Sequence, residues 1–400
     1  MSVLRGKKIL LGITGGIAAY KTASLVRLFI KAGAQVRVVM TPAAKDFITP
    51  LTLSTLSKNE VYSSFTEEEG ELWNNHVELG LWADIMLIAP ATANTLSKMA
   101  AGNSDNFLLA TYVSAKCPVY FAPAMDLDMY KHPSTKNNFE TLKSFGNFMI
   151  PAGTGELASG LSGEGRMAEP EEIFQFLEDH LSAFLPLKGK QIMITAGPTY
   201  EAIDPVRFIG NHSSGKMGYE IARAAANLGA KVILISGPTH LQISEDHIHL
   251  IKVVSAQEMY DAAMAHFEKA DVVIAAAAVA DYKPETIADQ KIKKDDETLT
   301  IRLTKTQDIL RSLGERKRQQ KLIGFALETN NELENARVKL QKKNLDFVVL
   351  NSLQDKGAGF QNDTNKVSFV FQDEVKSFGL KPKSEVAVDI LNEIINLFDE

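Results

Sequence analysis

The chain has 400 residues, 45% hydrophobic and 23% charged, with 43 basic against 49 acidic side chains and a formal net charge of −6. That balance belongs to a soluble globular protein, excludes a disordered or fibrous chain, and argues against a nucleic-acid binder. The single cysteine, Cys117, rules out an internal disulfide and any cysteine-built zinc or iron–sulfur site, so a reducing cytoplasm is the expected setting.

The length suggests two domains of roughly 100–200 residues each. Met1 to Lys8 leads straight into a strand-like run without the apolar stretch of a signal peptide. No apolar run reaches the roughly 18–20 residues of a membrane span, so no membrane partner is expected. Lys8 to Thr14 reads as a buried strand, Gly15-Gly16 as a turn, and Ile17 to Lys31 as a helix ended by Gly33. Val36 to Met40 is a second strand. Together they form a β-turn-α-β unit of about 30 residues, the opening of a doubly wound parallel sheet. Trp82 to Ala89 is a further strand, entered through Ala83-Asp84.

The plan restarts near Lys190 with a strand at Gln191 to Thr195 and a turn at Gly197-Pro198. A longer loop, a helix at Tyr219 to Asn227 and a strand at Val232 to Ile235 follow. Lys269 to Ala276 repeats the Ala-Asp opening. The expectation is an α/β protein with two Rossmann-like domains, 1–186 and 187–400, joined near Leu185 to Gly189.

Gly12-Ile13-Thr14-Gly15-Gly16 sits between strand and helix, where backbone N–H groups can approach a phosphate. A dinucleotide site would place Asp or Glu about 20 residues beyond the glycines to hold a ribose. Here the second strand ends in Met40-Thr41-Pro42, which favours a mononucleotide such as a flavin phosphate over NAD and disfavours a nicotinamide dehydrogenase. Pro90 to Thr95, at the carboxyl end of a strand, offers small and hydroxyl residues to a flat ring.

Residues 1–175 resemble the homo-oligomeric flavin-containing cysteine decarboxylases, a flavodoxin-like family. They resemble in particular the phosphopantothenoylcysteine decarboxylase half of the bifunctional bacterial coenzyme A enzymes. The resemblance rests on Thr14 to Lys21, His76, Pro90 to Thr95, Pro123 to Tyr130 and the Gly-rich stretch Pro151 to Met167. It implies FMN beside Gly15, Gly16, Ile17, Thr41, Thr92 and Ala93, substrate at Met125, Asp126 and Met129, and His76 as a base. The flavin would oxidise the cysteinyl thiol to a thioaldehyde, which lets CO2 leave, and then return a hydride equivalent.

Two residues depart from the family. Asp126 stands where the motif reads Pro-Ala-Met-Asn; a carboxylate has no amide donor and repels a substrate carboxylate. Ser159, the catalytic position of the flap, stands where the family carries Cys, and a hydroxyl is a far weaker acid than a thiol. Cys117 lies in another segment and reads as a small buried residue. Five glycines between Pro151 and Gly165 suit a mobile lid.

Gly210 to Met217 nearly fits G-x-x-x-x-G-K-[ST], but Met217 offers no hydroxyl and no clear strand leads into Gly210, so the phosphate-loop reading is rejected. The longer string resembles the signature of bacterial phosphopantothenate–cysteine ligase. It comprises Ala196 to Glu201, Ile203 to Ile209, Asn211 to Gly218, Ala277 to Tyr282, Lys291 to Lys294, Thr306 to Ile309 and Gly324 to Thr329. The resemblance implies a CTP-dependent ligase domain: 4'-phosphopantothenate attacks CTP, and L-cysteine displaces CMP from the acyl-cytidylate. Lys291 would serve its formation and Asn211 its handling. Asp281, Thr306, Gln307, Asp308, Ile309, Phe325, Lys339 and Lys343 would contact CTP, the two lysines sharing one helix face.

Mg2+ is expected with the triphosphate, with no protein ligand assignable. The resemblance also implies a homo-oligomer, trimeric through flavin domains that share active sites and dimeric through ligase domains, which a dodecamer would satisfy. The alternative is a working ligase fused to an impaired or regulatory flavin-binding domain.

Overall fold

The structure, a computed structural model, describes residues 2–66, 73–245, 247–293, 299–328, 330–352 and 362–399. Lys294 and Thr329 of the ligase-like motifs lie outside them. The chain divides into two compact units, Ser2–Ala183 and Phe184–Glu400.

In the first unit a six-stranded parallel sheet runs in the order Val61–Tyr62, Gln35–Met40, Lys8–Ile13, Ile85–Ala91, Val119–Pro123, Phe148–Met149. Its central strands are apolar runs because both faces are covered. Leu25, Val26 and Phe29 of helix Thr22–Lys31 pack on one face with Ile173 and Leu177 of helix Pro170–Ala183. Leu96, Phe107, Phe139 and Leu142, from three further helices, fill the other. The helical pattern expected from Ile17 to Lys31 begins as a 3-10 turn, Ile17–Lys21, and becomes α-helical only at Thr22. Bonds of the tighter type hold that turn: Ala19 N–H donates to Gly16 O at 2.9 Å, and Thr22 Oγ1 to Ala19 O at 2.6 Å.

In the second unit an eight-stranded sheet runs Ile248–Lys252, Lys231–Ser236, Gln191–Ala196, Val272–Ala275, Lys321–Glu328, Phe347–Ser352, Val367–Val370, Val375–Ser377. The first six strands are parallel and the last two antiparallel. Helices Lys216–Asn227 and Lys383–Asp399 cover one face through Tyr219, Ile221, Ile390 and Leu391. Helices Ala256–Phe267, Ile309–Arg316 and Glu332–Lys342 cover the other through Met259, Leu313 and Leu340. Two antiparallel ribbons, Tyr200–Ala202 with Phe208–Gly210 and Tyr282–Pro284 with Leu303–Lys305, stand outside the sheet. A short strand therefore does lead into Gly210, against expectation. It is a ribbon strand rather than the parallel sheet strand a phosphate loop needs, and the following helix begins at Lys216, not Tyr219.

The Ala-Asp echo has a shared physical cause. Lys8 N–H donates to Asp84 Oδ2 at 2.9 Å while Asp84 N–H donates to Lys8 O at 2.8 Å. Gln191 and Asp271 repeat the exchange at 2.7 and 2.8 Å, and Leu322 and Asp346 at 2.6 and 2.9 Å. Each aspartate satisfies the N–H at the start of a neighbouring parallel strand, which would otherwise be orphaned. Asp271→Ala is expected to destabilise the second unit by about 1–3 kcal/mol, seen as a lower urea midpoint by circular dichroism. An unmoved midpoint would mean that the carboxylate is not holding the strand.

Two candidate active sites

In the first unit the strand order reverses between Lys8–Ile13 and Ile85–Ala91, and a crevice opens at the carboxyl ends there. A cavity of about 1010 Å3 occupies it, walled by Gly15, Gly16, Ile17, Thr41, Thr92, Ala93, Met125, Asp126 and Met129, the nine ligand-contact residues expected from sequence. Thr14 joins the two loops that frame it: its Oγ1 donates to Pro90 O at 2.7 Å and accepts from Thr92 N–H at 3.1 Å. Gly15 cannot carry a side chain, since a Cβ would stand 2.7 Å from Ala43 Cβ and 2.9 Å from the Ala43 carbonyl carbon. Thr41 Oγ1 is buried in this wall with no hydrogen-bond partner among the described residues. A bound ligand oxygen would satisfy it.

The cavity's cations are already paired. Lys21, only 6% exposed, reaches Glu169 at 2.9 Å, Arg166 reaches the same carboxylate at 2.7 Å, and Lys98 reaches Asp105 at 2.5 Å. The hydrogen bond from Lys21 holds the Glu169 carboxyl below the usual range, with the charges of Lys21 and Arg166 helping against partial burial. Asp126 differs. It precedes helix Leu127–Lys131, makes no capping bond, and has no ion pair or hydrogen bond to its side chain among the described residues. Lys21 was within reach of the sequence reading, since it closes the Thr14 to Lys21 motif. Its role as the tie to the flap's root, through Met167 O at 3.1 Å, was not.

Two expected catalytic residues do not join this wall. Ser159 is exposed in the turn of the hairpin Gly153–Glu156 with Ser162–Arg166, whose neighbours Glu156, Leu157 and Ala158 do line the cavity. His76 opens helix His76–Trp82 behind an Asn75 cap that accepts from Val77 and Glu78 N–H at 3.1 Å. Its ring meets Phe65, Trp73 and Phe107 edge-on at 5.7, 6.0 and 6.3 Å, and Nδ1 is buried without a hydrogen-bond partner among the described residues. Cys117 is partly rather than fully buried. Burial pushes its thiol up to about 11, far from a reactive thiolate.

In the second unit a cavity of about 450 Å3 lies beyond the carboxyl ends of Gln191–Ala196 and Val272–Ala275, where that sheet also reverses order. Asp281, Thr306, Gln307, Asp308, Ile309, Phe325, Lys339 and Lys343 all line it. Lys339 Nζ donates to Phe325 O at 2.6 Å, and Lys343 Nζ meets Asp308 Oδ2 at 2.8 Å. Burial, and next the charge of Lys343, push the Lys339 ammonium below the ordinary lysine range, against the attraction of Glu328, Asp308 and Asp281. Asp308 is held low: burial pushes it up, but the Lys343 hydrogen bond and the Arg311 N–H prevail. Asn211 stands beside this wall, its Nδ2 donating to Ala278 O at 3.0 Å and Val279 O at 3.2 Å. Lys291 is exposed and outside the lining. Among the described residues no cluster of three His, Cys, Asp or Glu suits a metal, and no helix is long and apolar enough to cross a membrane.

Gly15→Ala is expected to lower the flavin retained on purification several-fold, read from visible absorbance, without moving the urea transition of the second unit. Full flavin content would mean that the close approach to Ala43 does not shape the site.

Comparison with known proteins assigns both units. Residues 2–182 match the Flavoprotein family and residues 187–398 the DNA/pantothenate metabolism flavoprotein C-terminal domain. A cysteine/cysteine sulfinic acid decarboxylase from an unknown prokaryotic organism is 52% identical over 356 residues, 88% of this chain and 99% of that one. The coenzyme A biosynthesis bifunctional protein CoaBC of Bacillus subtilis (strain 168) is 45% identical over 398 residues, 99% of this chain and 98% of that one. The crystal structure of the C-terminal domain of a CoaBC protein matches 54% of this chain and 98% of its own at 47% identity and a TM-score of 0.46. The chain belongs to the family of coenzyme A biosynthesis bifunctional proteins, enzymes that join a flavoprotein decarboxylase to a ligase.

Proposed function

We propose that the unit Phe184–Glu400 condenses 4'-phosphopantothenate with L-cysteine through an acyl-cytidylate made from CTP, and that the unit Ser2–Ala183 decarboxylates the product to 4'-phosphopantetheine with FMN. The observation that carries this reading is convergence in the second unit. Residues from four separate stretches, 281, 306–309, 325 and 339–343, meet in one cavity with two lysines one helical turn apart. With Lys305 also in the lining, three cations there suit a triphosphate, and they act strongly because the site is partly shielded from water. Mg2+ accompanies CTP in this reading, held by phosphate oxygens and water, as its chemistry favours. Asn211 and Lys291 keep their assigned roles in the second and first half-reactions.

For the first unit, the Gly15-Gly16 approach, the Thr41 hydroxyl and the absence of a ribose-binding acid support a flavin mononucleotide at this cavity. The flavin supplies two-electron oxidation and reduction when bound. Gly15, Gly16, Thr92 and Ala93 seat it, and Met125 and Met129 offer apolar contact to the substrate arm. His76 lies outside its own unit's cavity, which supports the shared sites and trimers that the resemblance implies.

A second reading is favoured by Asp126. Its unpartnered carboxylate suits the ammonium of a free amino acid better than the amide of a pantothenoyl conjugate. One close relative is named as a cysteine/cysteine sulfinic acid decarboxylase. In this reading the flavin unit also decarboxylates free cysteine.

Mass spectrometry of products from purified protein with phosphopantothenate, cysteine, CTP and Mg2+ tests both. Phosphopantetheine is the expected product. Cysteamine formed from cysteine alone would establish the second reading. Accumulated phosphopantothenoylcysteine would leave only the ligase, and no conjugate from folded protein would overturn the proposal.

A further inference from the structure

The hairpin between Tyr200 and Gly210 does more than carry Asn211 at its end. Its turn is built around Asp204, whose side chain is fully buried. The two carboxylate oxygens have separate tasks. Oδ1 accepts from Val206 N–H and Arg207 N–H, both at 2.8 Å, and so closes the turn. Oδ2 accepts from Arg207 Nε at 2.9 Å, from its Nη2 at 2.5 Å, and from Ile292 N–H at 3.2 Å. Arg207 Nη2 also donates to Ile292 O at 2.7 Å. Both polar groups of Ile292 are thus gripped by one ion pair. Ala288 N–H adds a third tie, to Ile203 O at 3.0 Å.

Ile292 follows Lys291, an exposed lysine in a stretch, 285–293, that has no regular secondary structure among the described residues. Among the described residues, the backbone on which Lys291 is mounted is tied to the hairpin turn through Ile292 and Ala288. The same hairpin ends at Asn211, whose amide grips the carbonyls of Ala278 and of Val279, the latter in the nucleotide-cavity wall.

We infer that Asp204 is a positioning residue for the acyl-cytidylate-forming half-reaction: through Ile292 it sets where Lys291 stands relative to the nucleotide cavity. The inference rests on the role given to Lys291 under the proposed function. A buried carboxylate is costly unless its partners are complete, and here five donors complete it. Misplacing a reacting-centre cation by about 1 Å costs on the order of 100-fold in rate.

The two oxygens allow the tasks to be separated. In Asp204→Asn the amide oxygen can still close the turn at Val206 and Arg207. The amide NH2 then faces three donors, on Arg207 and Ile292, and the grip on Lys291's segment is lost. The readout is steady-state pyrophosphate release from CTP and phosphopantothenate with saturating cysteine to discharge the acyl-cytidylate, measured on the full chain. Asp204→Asn is expected to lower kcat on the order of 10- to 100-fold with the KM for CTP within about two-fold and an unchanged circular dichroism spectrum. Lys291→Gln should slow the same step, and the double variant should be no slower than Lys291→Gln alone, because the two act as one unit.

Asp204→Asn at the wild-type rate beside a slow Lys291→Gln would overturn the inference alone. A risen KM with unchanged kcat, or a double variant slowed by the product of the single effects, would do the same. Lys291→Gln at the wild-type rate would overturn the reading of Lys291 and the inference with it.

Discussion

A parallel strand covered on both faces can meet a ligand only at its ends, and this constraint governs both units. Each sheet reverses its strand order beside its first strand, Lys8–Ile13 in one and Gln191–Ala196 in the other. The two connections leaving the reversal point diverge to opposite faces and leave a crevice. Short loops at that edge supply part of each ligand wall: Thr14 to Ile17 and Pro90 to Thr95 in one unit, Ala275 to Asp281 in the other. The strands themselves are held in step by aspartates 84, 271 and 346, which finish ladders that would otherwise start with an orphaned N–H. The edge that binds is thus carried on strands fixed at their opposite ends.

Charge is arranged differently in the two cavities. In the second unit Lys305, Lys339 and Lys343 line the cavity; of the helix pair, Lys343 shares its charge with Asp308 and Lys339 is held below the ordinary lysine range by burial and by its neighbour. Both features make the pair responsive to an incoming polyanion, which would reverse the penalty that the lysines impose on one another. In the first unit the cations are neutralised by Glu169 and Asp105, while Asp126 is left without a partner. Glu156 of the hairpin also lines the cavity and, like Asp126, has no side-chain partner among the described residues. Asp126 is the one in the substrate-contact motif, and it divides the two readings of the flavin unit, since a carboxylate there favours a substrate ammonium over a substrate amide.

Much of this was legible in the sequence, and the reason is local. Glycine turns and apolar strand runs are set by contacts within about one element, so spacing alone displays them, whereas the lysines at positions 339 and 343 stand out only through the family resemblance. The nine expected contact residues of the first cavity and the eight of the second come from motifs shared with the family, and all of them line the cavities. The helix expected from Ile17 begins as a 3-10 turn because Gly16 O and Ala19 O capture donors three residues on, which apolar periodicity does not register. His76 and Ser159 were chosen by motif, yet neither reaches the cavity of its own unit: one sits among Phe65, Trp73 and Phe107, the other at a hairpin tip. Position relative to a cavity is tertiary information. The Asp204 grip on Ile292 joins residues 88 apart, beyond any local pattern.

The first cavity is expected to perform redox decarboxylation although Ser159 stands where the family carries the flap cysteine. Anaerobic mixing of the purified flavoprotein with phosphopantothenoylcysteine, followed by stopped-flow absorbance in the flavin band, addresses it most directly. The account predicts bleaching followed by return of the oxidised band within one turnover, with CO2 released. A flavin spectrum unmoved by phosphopantothenoylcysteine would contradict it.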